Sequence, residues 1–126
     1  MISIVRGEQY VFEFVNPQYQ QLRPHTQMLG RSVAEVFPEA LEQGFIALLD
    51  NVYRTGEPFI GRELALQYDR TGTGAPVETY FDFVYQPVYT GSQVSGITCF
   101  AIDVTERVRM RQQLDDSLSG NTPAHA

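Results

Sequence analysis

The run FAIDVTERV, residues 100–108, changes its period without an intervening loop. Residues 100–104 suit a strand. Residues 105–118 suit a helix with Val108, Met110, Leu114 and Leu118 as its apolar positions and Arg107, Arg109 and Arg111 as a basic start. Asp103 and Thr105 stand at the join. Thr105 is a good cap, able to accept a backbone N–H, and Asp103 is placed to tie down backbone or an Arg. The expectation is a strand fastened directly to a departing helix. The apolar positions keep no clean heptad and span one or two repeats, so the pattern gives a coiled coil little support.

Working outward, residues 78–89 form the strongest strand pattern. Phe81, Phe83 and Tyr85 fall on one face; Tyr80, Asp82 and Val84 fall on the other. Gly91 and Ser92 make a hairpin turn into the returning strand, residues 97–104. Residues 63–68 also alternate, and residues 71–76 read as a loop. Before them, Phe45, Leu48, Leu49, Val52 and Tyr53 make one apolar stripe on a helix over residues 43–54, closed by Gly56. Ser32 and Glu35 have capping-box spacing, with Pro38 ending that helical turn. Asn16 and Pro17 open a short helix to about residue 22. Residues 2–5 and 10–15 read as two adjacent strands.

Segregated helices and strands predict an α+β domain. It should have one antiparallel sheet of about five strands, helices packed on one face, and a C-terminal exit helix. The expected divisions are a core over residues 1–104, a linker helix over 105–118 and a disordered tail over 119–126.

The 126 residues suit one domain, and a net charge of −6 argues against a nucleic-acid partner. No apolar run reaches the length of a membrane span, and Arg6, Gly7 and Glu8 end the apolar start too early for a signal peptide. A single cysteine, Cys99, fits a reducing compartment, and the expected location is cytoplasmic. Chemistry finds little support. His25 lies in a loop and His125 in the tail, neither with a nucleophile or orienting partner nearby. Neither they nor Cys99 have metal-ligand spacing. Gly72-Thr73-Gly74 lacks the Lys of a phosphate cradle. Glu78 and Asp82 share a strand face that reads as wet, leaving Asp82 the first candidate for a remote enzymatic alternative. The expectation is a non-enzyme.

Four stretches, YVFEFVNPQYQQL (residues 10–22), LGRSVAEVFPE (29–39), LLDNVYRTGEPF (48–59) and YFDFVYQPVYTGSQVSGITCFAIDVTER (80–107), resemble in order and spacing the PAS domain family. This is a sensory module of the kind found in bacterial histidine kinases. The resemblance covers nearly all of residues 2–118. Asp103-Val104-Thr105 is similar to the Asp-hydrophobic-Thr signature by which the family joins its last strand to an outgoing helix, so it implies a relay at Asp103 and Thr105.

The resemblance also implies a cavity between sheet and helices, with Phe81, Phe83, Tyr85, Ile97, Cys99 and Ala101 on the sheet side and Tyr19, Phe37, Phe45, Leu49 and Val52 opposite. The small residues at 99 and 101 leave room for a ligand, although the same side chains could simply fill a core. A wall of rings with Tyr hydroxyls as its polar points favours a small apolar or aromatic molecule over a polyanion. Flavin and haem are not expected. The Asn-Cys-Arg-Phe-Leu-Gln motif of flavin-binding relatives is missing, Ala101 stands where they carry Gln, and the long helix has no His. The implied partners are a ligand, a second copy of the chain, and an effector such as a histidine kinase. The alternative is a structural dimerisation domain with a filled core.

Overall fold

The computed structural model describes residues 1–70 and 73–120, with side chains described to residue 118. Among them the order is β1 (Ile2–Arg6), β2 (Val11–Val15), α1 (Pro17–Gln20), α2 (Val33–Val36), α3 (Pro38–Glu42), α4 (Phe45–Thr55), β3 (Phe59–Tyr68), β4 (Val77–Thr90), β5 (Gln93–Asp103) and α5 (Thr105–Gly120). The strands make one antiparallel sheet in the order β2-β1-β5-β4-β3. The fold class is therefore the expected one, α+β with five strands. β5 lies in the middle, so the strand that leads into α5 pairs on both edges.

Local signals explain the helix starts. Asn16 Oδ1 accepts the Tyr19 N–H at 2.9 Å and the Ile2 N–H at 3.0 Å, which caps α1 and ties it to β1. The capping box forms in both directions: Ser32 Oγ accepts the Glu35 N–H at 3.2 Å, and Glu35 Oε1 accepts the Ser32 N–H at 3.1 Å. The Ser32 N–H, together with the Ser32 hydroxyl, which donates to Glu35 Oε1 at 3.0 Å, holds the Glu35 carboxyl below its ordinary range. Pro38 ends α2 as expected, yet it also opens α3, a helix the sequence reading missed. The physical reason is the same ring: Pro cannot continue a helix and suits the first position of the next. Gly44, with φ +88°, then breaks α3 from α4, so the long helix starts at Phe45 rather than at residue 43. Gly56 closes it at φ +74°.

Helices α1 to α4 cover one face of the sheet. Their buried side chains Tyr19, Val33, Val36, Phe37, Ala40, Leu49 and Val52 pack with Val5, Phe12, Met28 and Ile97. Phe81, Phe83 and Tyr68 extend the core toward β3. α5 turns back beside β4 with Val104 and Val108 buried, while Met110, Leu114 and Leu118 stay exposed. It runs two residues past the expected end at 118. The remaining tail, residues 121–126, lies outside the described residues, as do Thr71 and Gly72 of the glycine-containing loop. Among the described residues no helix is long and apolar enough to cross a membrane.

Candidate functional site

Between the sheet and helices α1 to α4 lies a cavity of about 80 Å³. Eight of the eleven candidate residues line it: Tyr19, Phe37, Phe45, Phe81, Phe83, Tyr85, Cys99 and Ala101. Strand alternation puts the last five on the helix-facing side of β4 and β5, where Tyr85 pairs with Cys99 and Phe83 with Ala101. Leu49 and Ile97 line a smaller void of about 20 Å³, which also touches Ser3, Tyr19, Tyr85 and Cys99. Val52 borders neither space; its side chain is fully enclosed in the core. Leu22, Val33, Ala40 and Leu66 complete the larger cavity's wall and were not singled out from sequence. Leu22 shares a side with Tyr19 on the short helix expected to run to about residue 22, a signal that could have found it, although α1 itself ends at Gln20; Ala40 sits on the overlooked α3.

The wall is largely aromatic. Phe83 is the hub, with ring centroids 4.8 Å from Tyr85, 5.6 Å from Phe59 and 5.8 Å from Phe45. Polar heads gather at the deep end, where Ser3, Tyr19, Tyr85 and Cys99 border the smaller void. Burial pushes the Cys99 thiol up to about 12 and raises the Tyr19 and Tyr85 phenols above their ordinary range. All three groups are therefore neutral donors at neutral pH. Tyr85 and Cys99 keep part of their surface open, and that surface faces the cavity. Near the Phe37 side, Arg23 pairs with Glu39 and lies 5.4 Å from the Phe37 ring. The two charges satisfy one another, although Arg23 Nε and Glu39 Oε1 have no hydrogen-bond partner.

The strand-to-helix joint is tight: Asp103 ties down backbone as expected, but Thr105 bonds differently from the expectation. Asp103 Oδ1 accepts the Thr105 N–H at 2.9 Å, so Asp103 makes the capping bond at the start of α5. Thr105 Oγ1 does not cap its own helix; it accepts the Tyr80 N–H of β4 at 3.0 Å. Beside it the Val104 N–H donates to the Tyr80 carbonyl at 2.8 Å. The reason is register. β4 and β5 pair up to Phe81 and Asp103, so the next residues meet Tyr80, whose N–H would otherwise be unpaired.

A second connection was not anticipated. Arg107 and Arg111 reach Glu63 on β3, Arg107 also reaches Asp82 on β4, and the three ion pairs span 2.5 to 3.2 Å. Asp82 does face away from the helices α1 to α4, but it is bonded rather than simply wet.

The model of a family described as the PAS fold matches residues 1–109. Among solved structures, a sensory box sensor histidine kinase from Vibrio cholerae superposes with a TM-score of 0.60 at 19% identity, covering 82% of this chain and 80% of that one. The PAS domain of a protein from Colwellia psychrerythraea gives 0.61 at 15% identity, covering 83% and 87%. An RNA-binding light-oxygen-voltage receptor gives 0.66 at 20% identity, covering 98% of this chain but 34% of the receptor. At these identities the likeness is one of fold. The central closing strand, the helical cover on one face and the match over residues 1–109 agree, and the chain belongs to the PAS fold family.

Proposed function

We propose that the chain is a non-enzymatic sensory and relay module acting in the cytoplasm. A small, neutral, apolar or aromatic ligand, or a protein partner, engages the cavity region. The change passes through Asp103 and Thr105 into α5, and from there to an effector such as the catalytic part of a histidine kinase. The observation that carries this reading is a cavity whose wall includes Cys99 and Ala101 of β5, the strand that continues into α5. The kinase relationship is supported by the likeness to a sensor histidine kinase.

Chemistry narrows the ligand. The residues around the cavity are apolar apart from two phenols and a thiol, with no charged side chain among them. An ionised ligand would lose its hydration without gaining a counter-charge. One neutral hydrogen-bonding group facing Tyr19, Tyr85 and Cys99 suits the deep end. An apolar cavity of roughly 150 Å³ takes benzene. At about 80 Å³ this one admits a few heavy atoms as it stands, and a ring only after Phe45 or Phe83 moves. Flavin and haem have no part in this reading.

Native mass spectrometry on freshly purified protein tests it. A bound small molecule that is lost on introducing a bulky residue at position 101 would support the reading; a ligand-free mass under every preparation would oppose it. A second reading, a dimerisation domain, draws on the exposed row Met110, Leu114 and Leu118 along α5. The same measurement reports the subunit count.

A further inference from the structure

We propose that Glu63 is a positioning residue for the relay: a strained bulge in β3 holds α5 by its arginines, and movement of Phe83 in the cavity wall releases that hold. The proposal takes its trigger from the sensory reading above; the latch itself is a property of the chain without ligand.

The bulge is visible in the pairing. Gly61 lies opposite Phe83 and Leu64 opposite Phe81, so Arg62 and Glu63 together face Asp82. Glu63 has φ +50°, a left-handed conformation disfavoured for any residue with a Cβ. Asp82 helps maintain it, because its Oδ1 accepts the Glu63 N–H at 2.8 Å. In this conformation the Glu63 carboxylate reaches α5. It accepts Arg111 at 2.5 and 3.0 Å and Arg107 at 3.2 Å, while Asp82 Oδ2 accepts Arg107 at 3.0 Å. The Arg111 hydrogen bond is the leading reason the Glu63 carboxyl sits below its ordinary range. For Asp82 it is the Glu63 N–H, followed by Arg107.

The arginines matter because α5 has little else to hold it. Past the joint, Val108 is its one buried side chain among those described. The joint fixes where the helix begins, and the ion pairs fix the direction of its first two turns.

The other end of the bulge touches the cavity. A Cβ at Gly61 would lie 2.7 Å from Phe83 Cε1 and 2.9 Å from Leu64 Cδ1, so the Phe83 ring rests against the backbone where the bulge begins. Phe83 also lines the cavity. A ligand that displaces this ring pushes on Gly61. Glu63, two residues on, has a lower-energy conformation available at negative φ, and adopting it withdraws the carboxylate. That is a two-state element which both the cavity and the helix bias.

Amide hydrogen exchange on the whole chain tests the latch without any ligand. Glu63→Gln and Arg111→Gln should each speed exchange over residues 108–118 about fivefold and leave the central β4 and β5 amides unchanged. Raising sodium chloride should do the same to the parent chain and much less to Glu63→Gln. Glu63→Gly should free the helix while keeping or raising the melting temperature, which a merely stabilising ion pair would not do. Gly61→Ala should free it with no charge altered; if that variant does not fold, Phe83→Leu tests the same step. Equal loosening by Arg109→Gln, whose guanidinium reaches the Glu78 carbonyl at 3.5 Å rather than Glu63 or Asp82, would overturn the proposal. So would unchanged exchange in both Gly61→Ala and Phe83→Leu. A ligand-free cavity would undo the sensory reading and leave these outcomes standing, whereas failure here would leave ligand binding intact.

Discussion

Replacing Ala101 by leucine separates a ligand cavity from a filled core. Ala101 lies on the central strand with its side chain toward the cavity, opposite Phe83 on β4. Leucine adds three carbons there. Cavities in cores cost about 24 cal/mol per Å³, so the full 80 Å³ corresponds to about 2 kcal/mol. A leucine that fills most of it should stabilise the ligand-free chain by about 1–2 kcal/mol, or raise the melting temperature by about 4–8 °C. Overpacking has the opposite sign and costs about 1–3 kcal/mol. Urea unfolding of ligand-free protein gives the free energy, and native mass spectrometry of the same sample gives ligand occupancy. The expected result is a more stable protein that no longer carries a ligand. A loss of more than about 1 kcal/mol would mean that the space is not free, which would refute the cavity argument and favour the dimerisation domain.

Four other outcomes follow from particular contacts. Cys99 keeps its proton in the folded chain to about pH 12, against an ordinary value of 9.0; above pH 9 the unfolded state releases a proton that the folded state retains, so stability falls as pH rises. Chemical denaturation of Cys99→Ala should therefore remove about 1 kcal/mol of the loss between pH 9 and 10, and identical slopes in both proteins would count against the buried thiol. Thr105→Val leaves the Tyr80 N–H without its acceptor; hydrogen exchange should show the start of α5 opening by about 1 kcal/mol more readily, and Asp103→Ala should loosen the same helix without unfolding the sheet. Gly56→Ala places a methyl 2.5 Å from Tyr89 Oη at φ +74° and should cost about 1–3 kcal/mol, read from thermal unfolding.

Much of the fold was legible because its signals are local. The alternation over residues 78–89 and the hairpin at Gly91 and Ser92 gave β4 and β5. Asn16 and the Ser32/Glu35 box gave helix starts that the backbone bonds match. The run at Phe100 to Val108 gave a strand passing straight into a helix, since period and capping chemistry depend only on neighbours in the chain. Alternation divided β4 into two faces, while the family resemblance named the side of β4 and β5 that turns toward the helices. Pro38 and Gly44 show the limit even of local reading: each permits a stop and a new start, and only packing selects both.

Tertiary structure decided what depends on register and volume. Which N–H faces Thr105 depends on where β4 stops pairing, 25 residues earlier in the chain. The bulge that turns Glu63 toward Arg111 arises from a two-against-one match with Asp82, and no propensity of Glu63 announces a left-handed backbone. The 80 Å³ cavity is a small difference between large packed volumes, so the same eleven residues could have closed it. Sequence determined most of the elements and the alternation of their faces; the meeting of distant strands determined where space is left and which charges hold the helix.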